Sequence, residues 1–434
     1  MKVMIIGNGG REHALAWKVA QSPRVEHIYV VPGNPGTARE PKVENVDLDL
    51  TDFVGLTRFA RKQDVALTII GPEAPLVAGI VDYFSAAGLR CFGPSRKAAQ
   101  LEGSKSFTKD FLSRHHIPTA AYQNFTEVEA ALAYLKNHAL PVVIKADGLA
   151  AGKGVIIADT LALAIATVKD MLAGNSFGEA GHRVVIEEFM AGEEVSFIAI
   201  VDGETALPFA TSQDHKARDD GDKGPNTGGM GAYSPAPVVT PAIHDRIMRE
   251  VIMPTVRGMA AEGNTYKGFL YAGLMIAPDG SPRVVEYNCR FGDPEAQPIM
   301  MRLRSDLVAL CEAALDGQLA GFSLEFDPRA AVGVVLAAGG YPGAYARGKV
   351  ISGLDADAGL AHSKIFQAGT RRLDGTVVTN GGRVLCVTAL GDNVTSAQTL
   401  AYRLAAQVSW EGLFYRKDIA YRAIAREQNR IESA

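Results

Sequence analysis

The segment at 283–291 of this 434-residue chain carries residue types that bind metal ions and phosphate. Polar and apolar residues alternate along it, and the two-residue period of a strand places Glu286, Asn288 and Arg290 on one face and Val285 on the other. Carboxylate and amide oxygens suit Mg²⁺, and a guanidinium neutralises phosphoryl charge. The pattern predicts a metal–phosphate site, with the solvated face of an edge strand as the alternative.

A glycine-rich segment at 145–155 lies between two predicted strands and contains Lys145 and Lys153. It departs from the P-loop pattern, which needs glycine at 147 and Ser or Thr at 154. A hairpin loop of this kind can still fold over a polyphosphate whose charge the two lysines match. An ordinary solvated turn is the alternative.

Two glutamates seven residues apart, Glu187 and Glu194, flank an extended linker that leaves another predicted strand. Such a linker could offer backbone groups to an adenine edge, and Glu194 could accept ribose hydroxyls. An exposed acidic turn is the alternative for this segment on its own.

The residues at 7–12 (GNGGRE) lie where a predicted strand meets a predicted helix, a junction that favours an anion. The pattern G-x-G-x-x-G fails at Glu12, and no acidic residue closes the second strand to hold a ribose. We therefore expect a phosphate monoester rather than a dinucleotide, with a purely structural tight turn as the alternative.

A polar, glycine-rich loop at 214–231 is long enough to expect a functional role, the alternative being a disordered surface excursion. His215 within it is interpreted as a surface histidine. The residues at 292–295 (GDPE) add carboxylates that could orient an amine or a sugar.

The elements that must position these residues change in character along the chain. Strands at 2–6, 27–31 and 66–70 alternate with helices, one of them capped by Thr51, which predicts a parallel sheet with ligands at its carboxyl edge. Farther along, the pattern predicts a helix at 104–115, a compact α+β unit with strands at 142–145, 155–157 and 184–186, strands at 268–277, 282–291, 331–337 and 383–388, and helices at 396–408 and 417–428.

Composition limits the class of protein. The 44 Lys+Arg against 48 Asp+Glu leave a net charge of −4, which argues against nucleic-acid or membrane partners. Four scattered cysteines predict neither a disulfide framework nor a zinc site. The longest apolar stretch, 330–340, falls short of the roughly 18 residues of a membrane span. We expect a multidomain cytoplasmic protein that acts as a monomer on small molecules.

Four motifs in this order, at 7–13, 145–155, 226–231 and 286–295, resemble those of the phosphoribosylamine–glycine ligases in the ATP-grasp superfamily. The resemblance extends from Met1 to about position 426. It implies a multidomain protein of α/β and α+β character. Its parts would be a parallel-sheet pre-ATP-grasp domain at 1–103, an ATP-grasp core at 104–121 and 195–326, a mobile lid at 122–194 and a small α/β C-terminal domain at 327–434.

The same resemblance implies roles for individual residues. ATP would be bound by Lys105, Lys145, Gly152, Lys153, Gly154, Glu187, Phe189, Met190 and Glu194. Glu286 and Asn288 would hold Mg²⁺ or Mn²⁺. Phosphoribosylamine and glycine would be bound by Gly9, Gly10, Glu73, Asp214, Asn226, Thr227, Arg290 and Asp293, and catalysis would involve Arg290, Lys216 and Asp293.

The implied reaction is ATP-dependent ligation of glycine to 5-phosphoribosylamine through a glycyl phosphate, a step of purine biosynthesis. Two alternatives are an ATP-grasp carboxylase acting on bicarbonate and a non-catalytic nucleotide-binding regulator. This sequence departs from the family pattern at Ala217, where arginine is usual, and at Gln367, where histidine is usual.

Overall fold

The computed structural model describes residues 1–149, 154–173 and 182–432. Its N-terminal part contains β1 (Lys2–Gly7), α1 (Gly10–Ala20), β2 (His27–Pro32), a 3-10 turn (Thr37–Arg39), β3 (Val43–Asn45), α2 (Phe53–Lys62), β4 (Val65–Ile70), α3 (Glu73–Ala78), α4 (Ile80–Ala86), β5 (Cys91–Phe92), α5 (Gln100–Gly103) and α6 (Lys105–Arg114). The five strands form one sheet in the order β3-β2-β1-β4-β5, with every neighbouring pair parallel.

The predicted parallel sheet is therefore confirmed, and its physical reason lies in the central strand. In β1 the side chains from Val3 to Ile6 are all fully buried, because helices cover both faces of the sheet. One detail of the prediction is wrong: Asp52 rather than Thr51 caps α2. The Asp52 carboxylate accepts a hydrogen bond from the Gly55 amide at 2.8 Å, whereas the Thr51 hydroxyl donates to Asp49.

A smaller α+β unit follows, as predicted. It contains β6 (Tyr122–Phe125), α7 (Val128–Leu135), β7 (Val142–Ala146), β8 (Val155–Ala158), α8 (Leu161–Ala173) and β9 (Val184–Glu188). The strands form an antiparallel sheet in the order β6-β9-β7-β8. Ile144 and Ile186 on the sheet pack with Leu135 and Val168 from the helices, so this unit has a hydrophobic core of its own.

The middle of the chain is built on a second antiparallel sheet. Its elements are β10 (Glu193–Asp202), β11 (Ala206–Pro208), β12 (Gln213–Asp214), β13 (Ala217–Asp219), β14 (Lys223–Asn226), β15 (Gly231–Ser234), α9 (Pro241–Ile247), a π-helical turn (Met248–Ile252), α10 (Met253–Ala261), β16 (Lys267–Ile276), β17 (Pro282–Asn288), α11 (Ala296–Arg302), α12 (Leu307–Asp316) and a 3-10 turn (Leu319–Gly321). The sheet has the order β11-β10-β16-β17.

Strand β17 departs from the strict alternation that the sequence predicts. Gly273 on β16 faces Glu286, but Leu274 faces Val284, so Val285 is the extra residue of a bulge. Val284 is fully buried in its place, and the strand ends at Asn288 instead of continuing to 291. Val285 is half-buried and lines the same cavity as Glu286.

The C-terminal part forms a third antiparallel sheet, the C-terminal sheet. Its elements are β18 (Ala330–Ala338), a 3-10 turn (Ala356–Gly359), β19 (Ser363–Gln367), β20 (Thr370–Leu373), β21 (Thr376–Thr379), β22 (Arg383–Gly391), α13 (Val394–Ala405), β23 (Leu413–Phe414) and α14 (Tyr421–Glu432). The sheet runs β12-β15-β18-β22-β19, with β23 also paired to β18. The polar segment at 214–231 thus contributes ordered strands, two of which join this sheet.

Helix α14 begins four residues later than the sequence pattern predicts, and α13 begins two residues earlier, where Asn393 accepts a hydrogen bond from the Ser396 amide. Within the described ranges, none of the helices has the length and apolar character needed to cross a bilayer.

Candidate active site

A cavity of about 580 Å³ opens between the small α+β unit, the central sheet and the C-terminal sheet. Most of the side chains singled out from the sequence line it: Glu73, Lys105, Lys145, Gly154, Glu187, Phe189, Met190, Glu194, Asp214, Lys216, Asn226, Thr227, Glu286, Asn288, Arg290 and Asp293. Gly152 and Lys153 lie outside the described residues. Gly9 and Gly10 are not part of the lining.

The glycine turn at Gly9 and Gly10 lies behind one wall of the cavity. The Gly9 amide donates to Glu12 Oε2 at 2.6 Å, and the Arg11 amide donates to Asp293 Oδ2 at 3.3 Å. A Cβ atom on Gly10 would lie 2.4 Å from Nε2 of Gln297. The turn therefore packs directly against the residues that support Asp293.

Two lysines contact Glu187 near the end of β9, and a third contacts the segment that follows β7. Lys145 Nζ lies 3.0 Å from Glu187 Oε1, and Lys109 Nζ lies 2.8 Å from Oε2 of the same carboxylate. Lys105 donates to the Gly148 carbonyl at 2.7 Å. Burial lowers the pKa of Lys109 to about 8, although Glu187 opposes the shift. Lys109 was not among the residues predicted from the sequence, although its spacing of four residues from Lys105 places both on one helix face.

The linker after β9 carries an exposed aromatic side chain and a partly buried carboxylate. Phe189 is 44% exposed, whereas Met190 is buried. Burial raises the pKa of Glu194, whose Oε1 lies 3.6 Å from Lys216 Nζ. The linker thus presents an apolar surface and an acceptor to the same cavity.

Lys216 lies between β12 and β13 and is held at the opposite wall by Asp214 and Thr227. Its ammonium donates to Asp214 Oδ2 at 2.6 Å, and its carbonyl accepts hydrogen bonds from the amide and hydroxyl of Thr227 at 2.8 and 2.9 Å. Burial opposes the charged form, but the nearby carboxylates outweigh it and raise the pKa of Lys216 well above its usual value. Lys216 is therefore a fixed cation.

Arg290 is held between two carboxylates. Its Nε donates to Glu73 Oε2 at 3.2 Å, and its Nη2 lies 2.9 Å from Glu102 Oε1. The other oxygen of Glu102 accepts from the Cys289 amide at 2.7 Å. Burial raises the pKa of Glu102 to about 7. Nothing in the sequence pattern indicated Glu102, which reads as an ordinary acidic residue of a short helix.

Glu286 and Asn288 line the cavity. Within the described part of the chain, their side chains take part in no hydrogen bond. Burial opposes ionisation of Glu286, but Lys216, Lys145 and Lys105 outweigh it and lower its pKa. The described residues contain no group of three or more His, Cys, Asp or Glu suited to a metal ion. A carboxylate and an amide fit Mg²⁺, which commonly takes its remaining ligands from water and substrate phosphates.

The far wall is formed by Asp293, Glu295 and Arg383. Arg383 donates to the carbonyls of Gly228 and Asp293 at 2.7 and 2.6 Å. Glu295 Oε1 accepts from the hydroxyls of Ser196 and Tyr271. Arg383 was also not predicted from the sequence, because β22 reaches this cavity only through its place in the C-terminal sheet.

The two departures from the family pattern lie beside the site. The Ala217 carbonyl accepts from Arg416 at 3.0 Å. The Gln367 amide donates to Nδ1 of His13 at 2.7 Å, outside the cavity.

The interpretation of His215 as a surface residue is wrong, because its ring is buried and accepts from the Ala420 amide at 2.9 Å.

A small antiparallel unit that faces a larger antiparallel sheet across a cavity lined with lysines and paired carboxylates defines an ATP-grasp protein. Family models match almost all of the chain: the N domain of phosphoribosylglycinamide synthetase at 1–102, its ATP-grasp (A) domain at 103–296 and its C domain at 331–422. The chain belongs to the phosphoribosylglycinamide synthetase family.

Curated relatives match along the full length. The phosphoribosylamine–glycine ligase of Vibrio parahaemolyticus is 66% identical over 430 residues, covering 99% of this chain and 100% of its own. That of Vibrio cholerae is 67% identical over 428 residues, with the same coverage.

Solved structures also match this chain over almost its full length. The phosphoribosylamine–glycine ligase of Thermotoga maritima matches with a TM-score of 0.83 and 37% identity, covering 97% of this chain and 100% of that one. A biotin carboxylase domain from Hydrogenobacter thermophilus, with a TM-score of 0.71 over 95% of this chain and 91% of its own, is only 14% identical and shows a shared fold alone.

Proposed function

We propose that this chain joins glycine to 5-phosphoribosylamine with conversion of ATP to ADP and phosphate, giving glycinamide ribonucleotide for purine biosynthesis. Relatives that share two thirds of its residues over their whole length carry this activity in their names. The observation that carries the proposal is the convergence on one cavity of Lys105, Lys145, Arg290 and two side chains that form no hydrogen bond with the described residues, Glu286 and Asn288.

The residue roles follow from the charges around the cavity. Lys105 and Lys145 face the phosphates of ATP, the linker of Phe189 and Met190 faces adenine, and Glu194 accepts the ribose hydroxyls. Glu286 and Asn288 would hold the divalent cation, Mg²⁺ or Mn²⁺, which when bound neutralises phosphate oxygens.

The chemistry proceeds in two displacements at the substrates. An oxygen of the glycine carboxylate attacks the γ-phosphorus, so that an acyl phosphate forms and ADP leaves. The amine nitrogen of phosphoribosylamine then attacks the acyl carbon, phosphate leaves and the nitrogen loses a proton. Arg290 and Lys216 stabilise the charge that develops, and Asp293 orients the acceptor. Each nucleophile belongs to a substrate, so the mechanism needs no covalent enzyme intermediate.

The small unit at 122–194 acts as a lid in this proposal. Leu149, Ile157 and Phe189 line the cavity with side chains that are between 38% and 44% exposed, so they present an apolar area to it. Closure over the nucleotide would bury that area and keep water from an acyl phosphate. The separate hydrophobic core of the unit supports its movement as one body.

We propose the domain limits implied by the resemblance: 1–103, a core of 104–121 with 195–326, the lid, and 327–434. We also propose that the chain acts as a monomer in the cytoplasm. The four cysteines are all free and buried, which fits a reducing compartment.

The test is ADP release with each substrate omitted in turn. ADP should form only when glycine, phosphoribosylamine and Mg²⁺ or Mn²⁺ are all present. ADP release that depends on bicarbonate and not on glycine would assign a carboxylase instead. Binding of ATP with no turnover under any combination would assign a nucleotide-binding regulator.

A further inference from the structure

The nucleotide linker is the segment from Glu188 at the end of β9 to Glu194 at the start of β10. An arginine–glutamate pair anchors it at each end. At its start, Glu188 accepts from Arg283 on β17 and from the Ala121 amide. At its end, Glu193 accepts from both terminal nitrogens of Arg426, at 2.8 and 2.5 Å. Two parallel hydrogen bonds fix both the distance and the plane of the Glu193 carboxylate.

The second anchor comes from a distant part of the chain. Arg426 lies on α14, more than two hundred residues after Glu193 and within the C-terminal region. Gln213 reinforces the same point, since its amide donates to Glu193 Oε1 at 2.8 Å and to the Glu194 carbonyl at 3.1 Å. The Tyr233 hydroxyl in turn donates to Gln213 at 2.8 Å.

The same face of α14 also contacts the polar segment on the other side of the cavity. Arg422, one helical turn before Arg426, donates to Asp222 at 2.7 Å. Helix α14 therefore contacts both the linker that carries Glu194 and the segment that carries Lys216, although α14 does not itself line the cavity.

We propose that Arg426 is a positioning residue for the nucleotide: by holding Glu193, it fixes the linker from which Phe189, Met190 and Glu194 face the cavity. The inference rests on the proposed function, because it takes that linker as the seat of adenine and ribose. Arg426 touches no substrate; it acts through Glu193 and keeps Glu194 in its position before ATP arrives.

The experiment compares Arg426→Gln, Glu193→Gln and their combination, with Glu427→Gln as the matched control. Glu427 is the next residue of α14, and its carboxylate accepts from the Val394 and Thr395 amides within the C-terminal region, away from the linker. We expect Arg426→Gln and Glu193→Gln each to raise the KM for ATP by about 5- to 20-fold and the KM for glycine by less than twofold. The double variant should be no worse than either single variant.

Two further measurements separate positioning from general damage to the helix. Arg426→Lys, which keeps the charge but loses the paired geometry, should recover part of the ATP affinity. Calorimetric binding of a non-hydrolysable ATP analogue with Mg²⁺ should weaken in Arg426→Gln and stay unchanged in Glu427→Gln, even where both variants lower the unfolding midpoint.

The inference is overturned by wild-type ATP affinity in Arg426→Gln, by an equal loss in Glu427→Gln, or by strictly additive effects in the double variant. These outcomes are distinct from failure of the proposed function, which would appear in the unmodified chain as ADP release that does not depend on glycine and phosphoribosylamine.

Discussion

Nζ of Lys109 lies 2.8 Å from Oε2 of Glu187, and both side chains are almost completely buried. Lys145 lies 3.0 Å from the other oxygen, so a single carboxylate is shared by two ammonium groups. When all three groups are charged, the cluster has one excess positive charge at the wall of the cavity. An anionic ligand such as a phosphate chain would be stabilised there.

Replacement of Lys109 by methionine should destabilise the protein. The variant leaves Glu187 with one cation and removes the hydrogen bond to Thr119, and loss of one partner from a buried pair costs about 3 kcal/mol. We expect the calorimetric unfolding midpoint to fall by about 3 °C. Lys97→Met at an exposed lysine is the control and should leave it unchanged. Equal midpoints for the two variants would mean that the buried pair contributes nothing.

Glu102 gives the stability a specific pH dependence. Its pKa is raised from 4.5 to about 7 in the folded protein, chiefly by burial, so between these pH values the folded state holds a proton that the unfolded state has lost. Stability therefore decreases as pH rises through this window and levels off above it, a change of about 3 kcal/mol from this one group.

The measurement is the unfolding midpoint of the unmodified protein and of Glu102→Gln at pH 5, 6, 7 and 8. Glutamine cannot ionise, so the variant should gain stability relative to the unmodified protein as pH increases. A constant difference between the two proteins across the series would show that Glu102 does not titrate in this range.

Replacement of Glu286 by glutamine should abolish most turnover and leave the fold intact. We expect kcat to fall by at least about 100-fold, because the anionic ligand proposed to hold the divalent cation, which would neutralise the phosphate oxygens, is lost. The side chain accepts no hydrogen bond from the described residues, so the unfolding midpoint should change little. ADP release measured against Mg²⁺ and Mn²⁺ concentration checks this, with Glu325→Gln at an exposed carboxylate as the control. Near-normal turnover would remove Glu286 from the proposed metal ligands.

The features that follow from local periodicity could be predicted from the sequence. The run from Val3 to Ile6 identifies a central parallel strand because it is apolar without interruption. Glu286 and Asn288 reach one cavity because they recur every second residue at the end of β17, and Arg290 follows just beyond the last residue of that strand. In contrast, the bulge at Val285 depends on the register with β16, which no local pattern encodes.

The residues that the sequence did not identify are those positioned by packing between distant elements. Glu102 reaches Arg290 because α5 packs against the end of β17, and Arg383 reaches Asp293 because the third sheet closes over the site. His215 is buried by the turn that precedes α14. Lys109 is different, since its helical spacing from Lys105 was available in the sequence.

The glycine turn offers a last test, because Gly10 acts on the site through a neighbour. A Cβ atom at this position would lie 2.4 Å from Nε2 of Gln297, whose amide donates to Asp293 Oδ1 at 3.0 Å. In Gly10→Ala the Gln297 side chain must move, and Asp293 loses the hydrogen bond that Gln297 donates to its Oδ1. We expect the KM for phosphoribosylamine or glycine to rise several-fold while the KM for ATP stays within about twofold. Gly321→Ala, where a Cβ would meet nothing within 4 Å, is the control. If Gly10→Ala raised all three KM values equally, the turn would support the whole fold and not Asp293 in particular.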